Sequence, residues 1–109
     1  MASSQNDLEI TTSDLGGDST LVLRGEVDLG TAPLLRAEMS RLADAGRTRI
    51  RLDLRDVGFM DSQGIHVLAE AHKRLSTTGG ALRLIAPSEA VRRLLEVTGL
   101  DRILHVEDC

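Results

Sequence analysis

Leu8 and Ile10 are apolar within the alternating residues 8–12, which read as a strand. Gly16-Gly17-Asp18 is a turn, and the run Leu21-Val22-Leu23 within residues 20–24 is a second strand. These two predict a hairpin, followed by the short extended piece Gly25-Glu26-Val27-Asp28. The spacing then becomes helical. Leu35, Met39 and Leu42 share one face of a helix, with Thr31 as its N-cap, Pro33 in its first turn and Gly46 just past its end. Residues 49–54 alternate Ile50, Leu52 and Leu54 with Arg49, Arg51 and Asp53, a strand with one polar-lined side. Residues 55–60 read as the turn into Asp61-Ser62-Gln63-Gly64.

A second helix is predicted from about residue 62 to 77, with Ile65, Leu68, Ala69, His72 and Leu75 inward and Gly79-Gly80 at its end. Residues 81–86 form a strand. Ser88 then caps a third helix whose inner face is Val91, Leu94, Leu95 and Thr98, and Gly99 stops it. Residues 103–106 make the last strand. The order β-β-α-β-α-β-α-β predicts a single α/β domain over residues 8–109, with a mixed, mostly parallel sheet and three or four helices. The polar residues 1–7 read as a flexible N-terminus. Ligands and partners of such sheets meet the loops beyond the carboxyl ends of the strands, where residues 56–62 fall.

Composition removes several function classes. The 109 residues carry a formal charge of −4, and Phe59 is the one aromatic residue. Neither a basic stripe nor a stacking platform for nucleic acid is present. The single cysteine, Cys109, cannot close an internal disulfide and reads as incidental. No apolar run has the length of a membrane span, and Met1-Ala2-Ser3-Ser4-Gln5 lacks a basic, then apolar, leader. The expectation is a cytoplasmic protein without direct membrane insertion.

The chemistry concentrates at Asp61-Ser62-Gln63-Gly64. In one reading Ser62 caps the second helix, Asp61 complements the helix dipole and Gly64 permits close packing. In the other, Ser62 is a modification site, since a phosphate at a helix N-terminus is favoured by the free N–H groups there. A hydrolase would want G-x-S-x-G, and Met60 stands where the first glycine belongs, with His105 the one late histidine. Asp53, Asp56 and Asp61 suggest a receiver-type acidic cluster, but the only lysine, Lys73, lies mid-helix. His66 and His72 are six apart and share no helical face, unlike a metal pair at i, i+4. With no P-loop and no G-x-G-x-x-G, no cofactor is expected.

Taken jointly, Gly25-Glu26-Val27-Asp28, Ile50-Arg51-Leu52-Asp53-Leu54 and Phe59-Met60-Asp61-Ser62-Gln63-Gly64-Ile65 resemble the STAS domain of bacterial anti-sigma factor antagonists. Gly79-Gly80, Pro87-Ser88 and Val97-Thr98-Gly99-Leu100 extend the resemblance over about residues 8–106. The resemblance implies a non-enzymatic, partner-switching regulator. Its unphosphorylated form docks on an anti-sigma factor that is also a serine kinase and frees the sigma factor. Phosphorylation ends docking, and a PP2C-type phosphatase restores it. Carried to this sequence, the phosphoacceptor is Ser62, beside Asp61. Asp28 lies on the same recognition surface, with Thr31, Gln63, Gly64 and Ile65 as nearby contacts and the protein a monomer or weak dimer. Gln63 departs from the Ser or Thr usual after the phosphoacceptor, so Ser62 is the only hydroxyl in the motif. The alternative that the resemblance leaves open is a STAS accessory subunit of a membrane lipid or anion transport complex.

Overall fold

The computed structural model describes residues 8–108; the expectations for residues 1–7 and Cys109 lie outside them. Five strands, β1 (Leu8–Leu15), β2 (Asp18–Val27), β3 (Arg49–Met60), β4 (Ala81–Ile85) and β5 (His105–Glu107), form one sheet in chain order. β1 and β2 are the antiparallel hairpin, and every other neighbouring pair is parallel. The crossovers are α1 (Ala32–Asp44), α2 (Ser62–Ser76) and α3 (Glu89–Thr98), the last followed by a single 3-10 turn, Leu100–Arg102. The predicted element order and mixed sheet are both present.

The sheet is covered on one face only. Leu21, Leu23, Ile50, Leu52, Leu54, Leu82 and Leu84 are buried beneath the helices in one apolar cluster with Leu35, Leu42, Leu68 and Leu95. The alternate residues Arg49, Arg51 and Arg83 point to solvent. A period of two is what a sheet with one wet face imposes. α2 buries Gly64, Val67, Leu68 and Leu75; His72, expected on the inner face, is only half-buried, and Val67 takes a core position instead.

The largest departure from the sequence reading is in β3, which continues through residues 55–60 rather than turning. Val22 faces Asp53, but Arg24 faces Asp56; Gly25 faces Val57, but Glu26 faces Phe59. Each step inserts one extra residue on β3, a β-bulge. Two bulges convert the alternation into buried Val57 and Met60 separated by pairs of outward residues. The outer edge of β3 beyond β4 is closed in part by Ser88, whose Oγ donates to the Val57 carbonyl at 2.6 Å and also caps α3 by accepting from Val91 N. β5 begins two residues later than expected, because Leu100–Arg102 winds into the 3-10 turn and Leu104 N bonds back to the Leu100 carbonyl at 2.8 Å.

One carboxylate ties the hairpin to α1. Glu38 accepts from Arg41 Nε at 3.0 Å and Nη2 at 2.6 Å, and from the Thr12 hydroxyl of β1. Arg41 first, then Thr12, lowers its pKa to about 2 from an ordinary 4.5. A depressed carboxylate contributes stability above its unfolded pKa and loses it as pH falls through the folded one. Glu38→Gln should therefore lose on the order of 1–2 kcal/mol at neutral pH. Urea unfolding would show the gap to wild type closing between about pH 4.5 and 2.

Candidate functional site

The parallel pairing of β2 and β3 brings two loops side by side at the carboxyl ends of the strands. Val27 faces Met60, and Asp61 N donates to the Val27 carbonyl at 3.1 Å. The β2–α1 loop and the start of α2 thus form one surface.

Asp28 organises the first loop. Its Oδ1 accepts from Gly30 N and Thr31 N, each at 3.0 Å. Its own N–H donates to Thr31 Oγ1 at 2.9 Å, and that hydroxyl donates to the Glu26 carbonyl at 2.8 Å. Thr31 stands at the N-cap position of α1 but makes no side-chain cap, contrary to expectation, because its hydroxyl is committed backward into the loop. The Asp28 backbone carbonyl instead receives Ala32 N at 2.7 Å. Asp28→Ala should cost about 1 kcal/mol, because Gly30 N loses its acceptor while Thr31 N keeps the Asp28 backbone carbonyl at 3.2 Å; denaturant titration measures it.

The second loop assigns its roles differently from the sequence reading. Asp61, not Ser62, is the N-cap of α2: its Oδ1 accepts from Gln63 N at 2.8 Å. Ser62 is the first helical residue, exposed, and its hydroxyl makes no hydrogen bond among the described residues, to a histidine or to any other group. Gln63 is exposed, and Ile65 is half-buried against the core. Thr31 and Gly64 are buried, so they shape the surface from beneath rather than meet a partner by side chain. A Cβ on Gly64 would stand 2.5 Å from Met60 Cγ and 2.9 Å from Val27 Cγ1, which is why α2 can start so close to the two strands.

Three residues that sequence reasoning did not assign to the surface complete it. Leu29, Leu34 and Phe59 are 72%, 48% and 47% exposed. Leu29 follows Asp28, Leu34 is in the first turn of α1, and Phe59 is turned out by the second bulge. Isolated exposed apolar residues are ordinary; these three lie toward the end of the sheet that carries Asp28 and Ser62. The sequence signal was there in the Leu29 and Leu34 that flank the α1 start without fitting its buried face.

The arrangement therefore presents an unengaged hydroxyl at a helix N-terminus, with Asp28 and Asp61 beside it and apolar residues around it. Among the described residues no cluster of histidine, cysteine and carboxylates suits a metal ion, and no helix is long and apolar enough to cross a membrane.

The STAS domain model matches residues 9–108. The chain belongs to the STAS domain family. An anti-sigma-B factor antagonist from Bacillus subtilis is 37% identical over 89 residues, which cover 82% of this chain and 81% of that protein. Among solved structures, an anti-sigma factor antagonist from Mycobacterium paratuberculosis superimposes with a TM-score of 0.88 at 26% identity, covering 100% of this chain and 92% of that one. The phosphorylated form of SpoIIAA, a Bacillus cell fate determinant, shares the fold with a TM-score of 0.73 at 23% identity, covering 90% of each chain.

Proposed function

We propose that this STAS protein is an anti-sigma factor antagonist that works by partner switching in the cytoplasm. Unphosphorylated, its Ser62 end docks on an anti-sigma factor that is also a serine kinase, and the sigma factor is released. Phosphorylation of Ser62 ends docking, and a PP2C-type phosphatase restores it. The observation that carries this reading is the free, exposed Ser62 hydroxyl at the first position of α2, with the capping work done by Asp61. Curated and structural relatives that are anti-sigma factor antagonists support the same reading and do not favour a transporter subunit.

The physics of the switch is local. Leu29, Leu34 and Phe59 supply apolar area for docking, and one hydrogen bond in the interface is enough to offset the burial of a neutral hydroxyl. A phosphate carries roughly −1.5 to −2 charges and would face Asp61 inside the interface. On the free protein the same phosphate lies at a helix N-terminus, where dipole and N–H groups favour it. The fold survives while the docking face changes. Binding and modification suffice; the protein need catalyse nothing.

The test is phosphate transfer from ATP by the anti-sigma factor, followed by peptide mapping. One phosphate on Ser62 is expected, with none on Ser62→Ala, which keeps binding. Phosphate on another residue, or full binding after phosphorylation, would remove this reading.

A further inference from the structure

α1 and α2 do not close completely on each other. Between them lies a groove of about 140 Å³. Its floor is Ile50 of β3, and its walls are Met39 and Ala43 of α1 with Val67, Ala71 and Leu75 of α2. The deep lining, Met39, Ile50, Val67 and Leu75, is apolar, each of these residues at most 5% exposed. The space exists because Ala43 and Ala71 are small where the helices face each other. An enclosed apolar cavity of about 150 Å³ holds a benzene ring, and this groove, open to solvent on one side, has a similar volume.

The rim is charged and unequal. Arg36, Arg74 and Glu70 line it, two cations to one anion. Arg36 Nε donates to Glu70 Oε1 at 3.0 Å, and His66 Nε2 lies 3.2 Å from Glu70 Oε2, so Glu70 is engaged on both oxygens. Arg74 is held by Asp44, an exposed carboxylate that does not line the groove. Exchanging that partner for a ligand carboxylate would leave Asp44 solvated, at small cost for an exposed pair.

We propose that this groove is a binding site for a small amphipathic carboxylate, with a ring or a chain of about six carbons between the helices and its anion at Arg74. The apolar interior selects the body, and the excess rim cation selects the head. The site stands apart from the Ser62 surface, and its proposal does not rest on what docks there. It does touch both helices whose first turns build that surface, so an occupant would bear on their spacing.

The test is a titration of the isotope-labelled full chain, followed by NMR, with benzoate, benzyl alcohol and acetate as probes. Benzoate should give saturable shifts at Ala43, Val67 and Ala71, half-complete at or below about 10 mM, a fragment-sized affinity. Benzyl alcohol should bind about five-fold or more weakly, and acetate should not saturate. Ala71→Leu, which fills the groove, should abolish benzoate binding. Arg74→Gln, an exposed change that leaves the core intact, should weaken benzoate about five-fold and leave benzyl alcohol unaltered. The proposal is overturned if benzoate produces no saturable shift at the groove or if acetate matches it. Equal binding of benzyl alcohol, or an Arg74→Gln variant that binds benzoate like wild type, overturns it as well.

Discussion

Ser62→Asp should lower affinity for the anti-sigma factor about 100-fold or more, while thermal unfolding moves by no more than about 2 °C. Both halves follow from the same atoms. The Ser62 hydroxyl supports no hydrogen bond among the described residues, so the fold loses nothing with it. An acid in the first turn of α2 gains about 0.3–1 kcal/mol from the helix dipole, which offsets repulsion from the neighbouring Asp61. In the complex the balance reverses, because the new carboxylate is desolvated beside the old one. An unpaired buried charge costs about 3–5 kcal/mol, and each 1.4 kcal/mol is tenfold in affinity. Ser62→Ala removes only a neutral hydroxyl and should cost less than about tenfold. Calorimetric titration of the three proteins separates charge from loss of the hydroxyl. Tight binding by the aspartate variant would mean that Ser62 lies outside the interface.

Gly80→Ala should destabilise the protein by about 3 kcal/mol or more, enough to unfold a marginal domain in part. A Cβ at residue 80 would stand 2.0 Å from the Thr48 carbonyl oxygen and 2.8 Å from its carbon. That carbonyl cannot retreat freely, since it accepts Ala81 N at 2.8 Å at the start of β4. Gly80 N is itself held by the Leu75 carbonyl at 2.9 Å. The obstacle is the backbone that leads into β3, not a flexible side chain. Gly79→Ala is the control. Its φ is +77°, with nothing within 4 Å of the added carbon, so it should cost only about 1–2 kcal/mol. Equal urea midpoints for the two variants would refute the steric argument.

The helices and the cores of the strands were legible because their apolar periods, 3.6 and 2, survive intact in the fold. Leu35, Met39 and Leu42 are buried as the spacing implied, and so are Ile50, Leu52 and Leu54. Legibility ended where a local device interrupted the period. The two bulges hid half of β3, because a residue inserted without a partner shifts every later side chain. At α1 and α2, though not at α3, where Ser88 caps as expected, the capping oxygen is hard to read for a related reason. Serine, threonine and aspartate all cap helices, and composition does not say which of Asp61 and Ser62, or of Asp28 and Thr31, turns its oxygen toward the helix. That exchange of roles changed the functional picture most, since it released the Ser62 hydroxyl. The outward placement of Phe59 was unreadable until the second bulge was seen.

The unequal lengths of β3 and β4 carry a further consequence, for motion. Residues 49–53 of β3 sit between two neighbours, whereas residues 56–60 pair with β2 alone. One strand thus has a firmly clamped half in the core and a half bound along one side, and the loosely bound half leads straight into Ser62. Local opening free energies fall where hydrogen-bonding neighbours are few. The end of β3 beside Ser62 is therefore the part of the strand that opens at lower cost than residues 49–53.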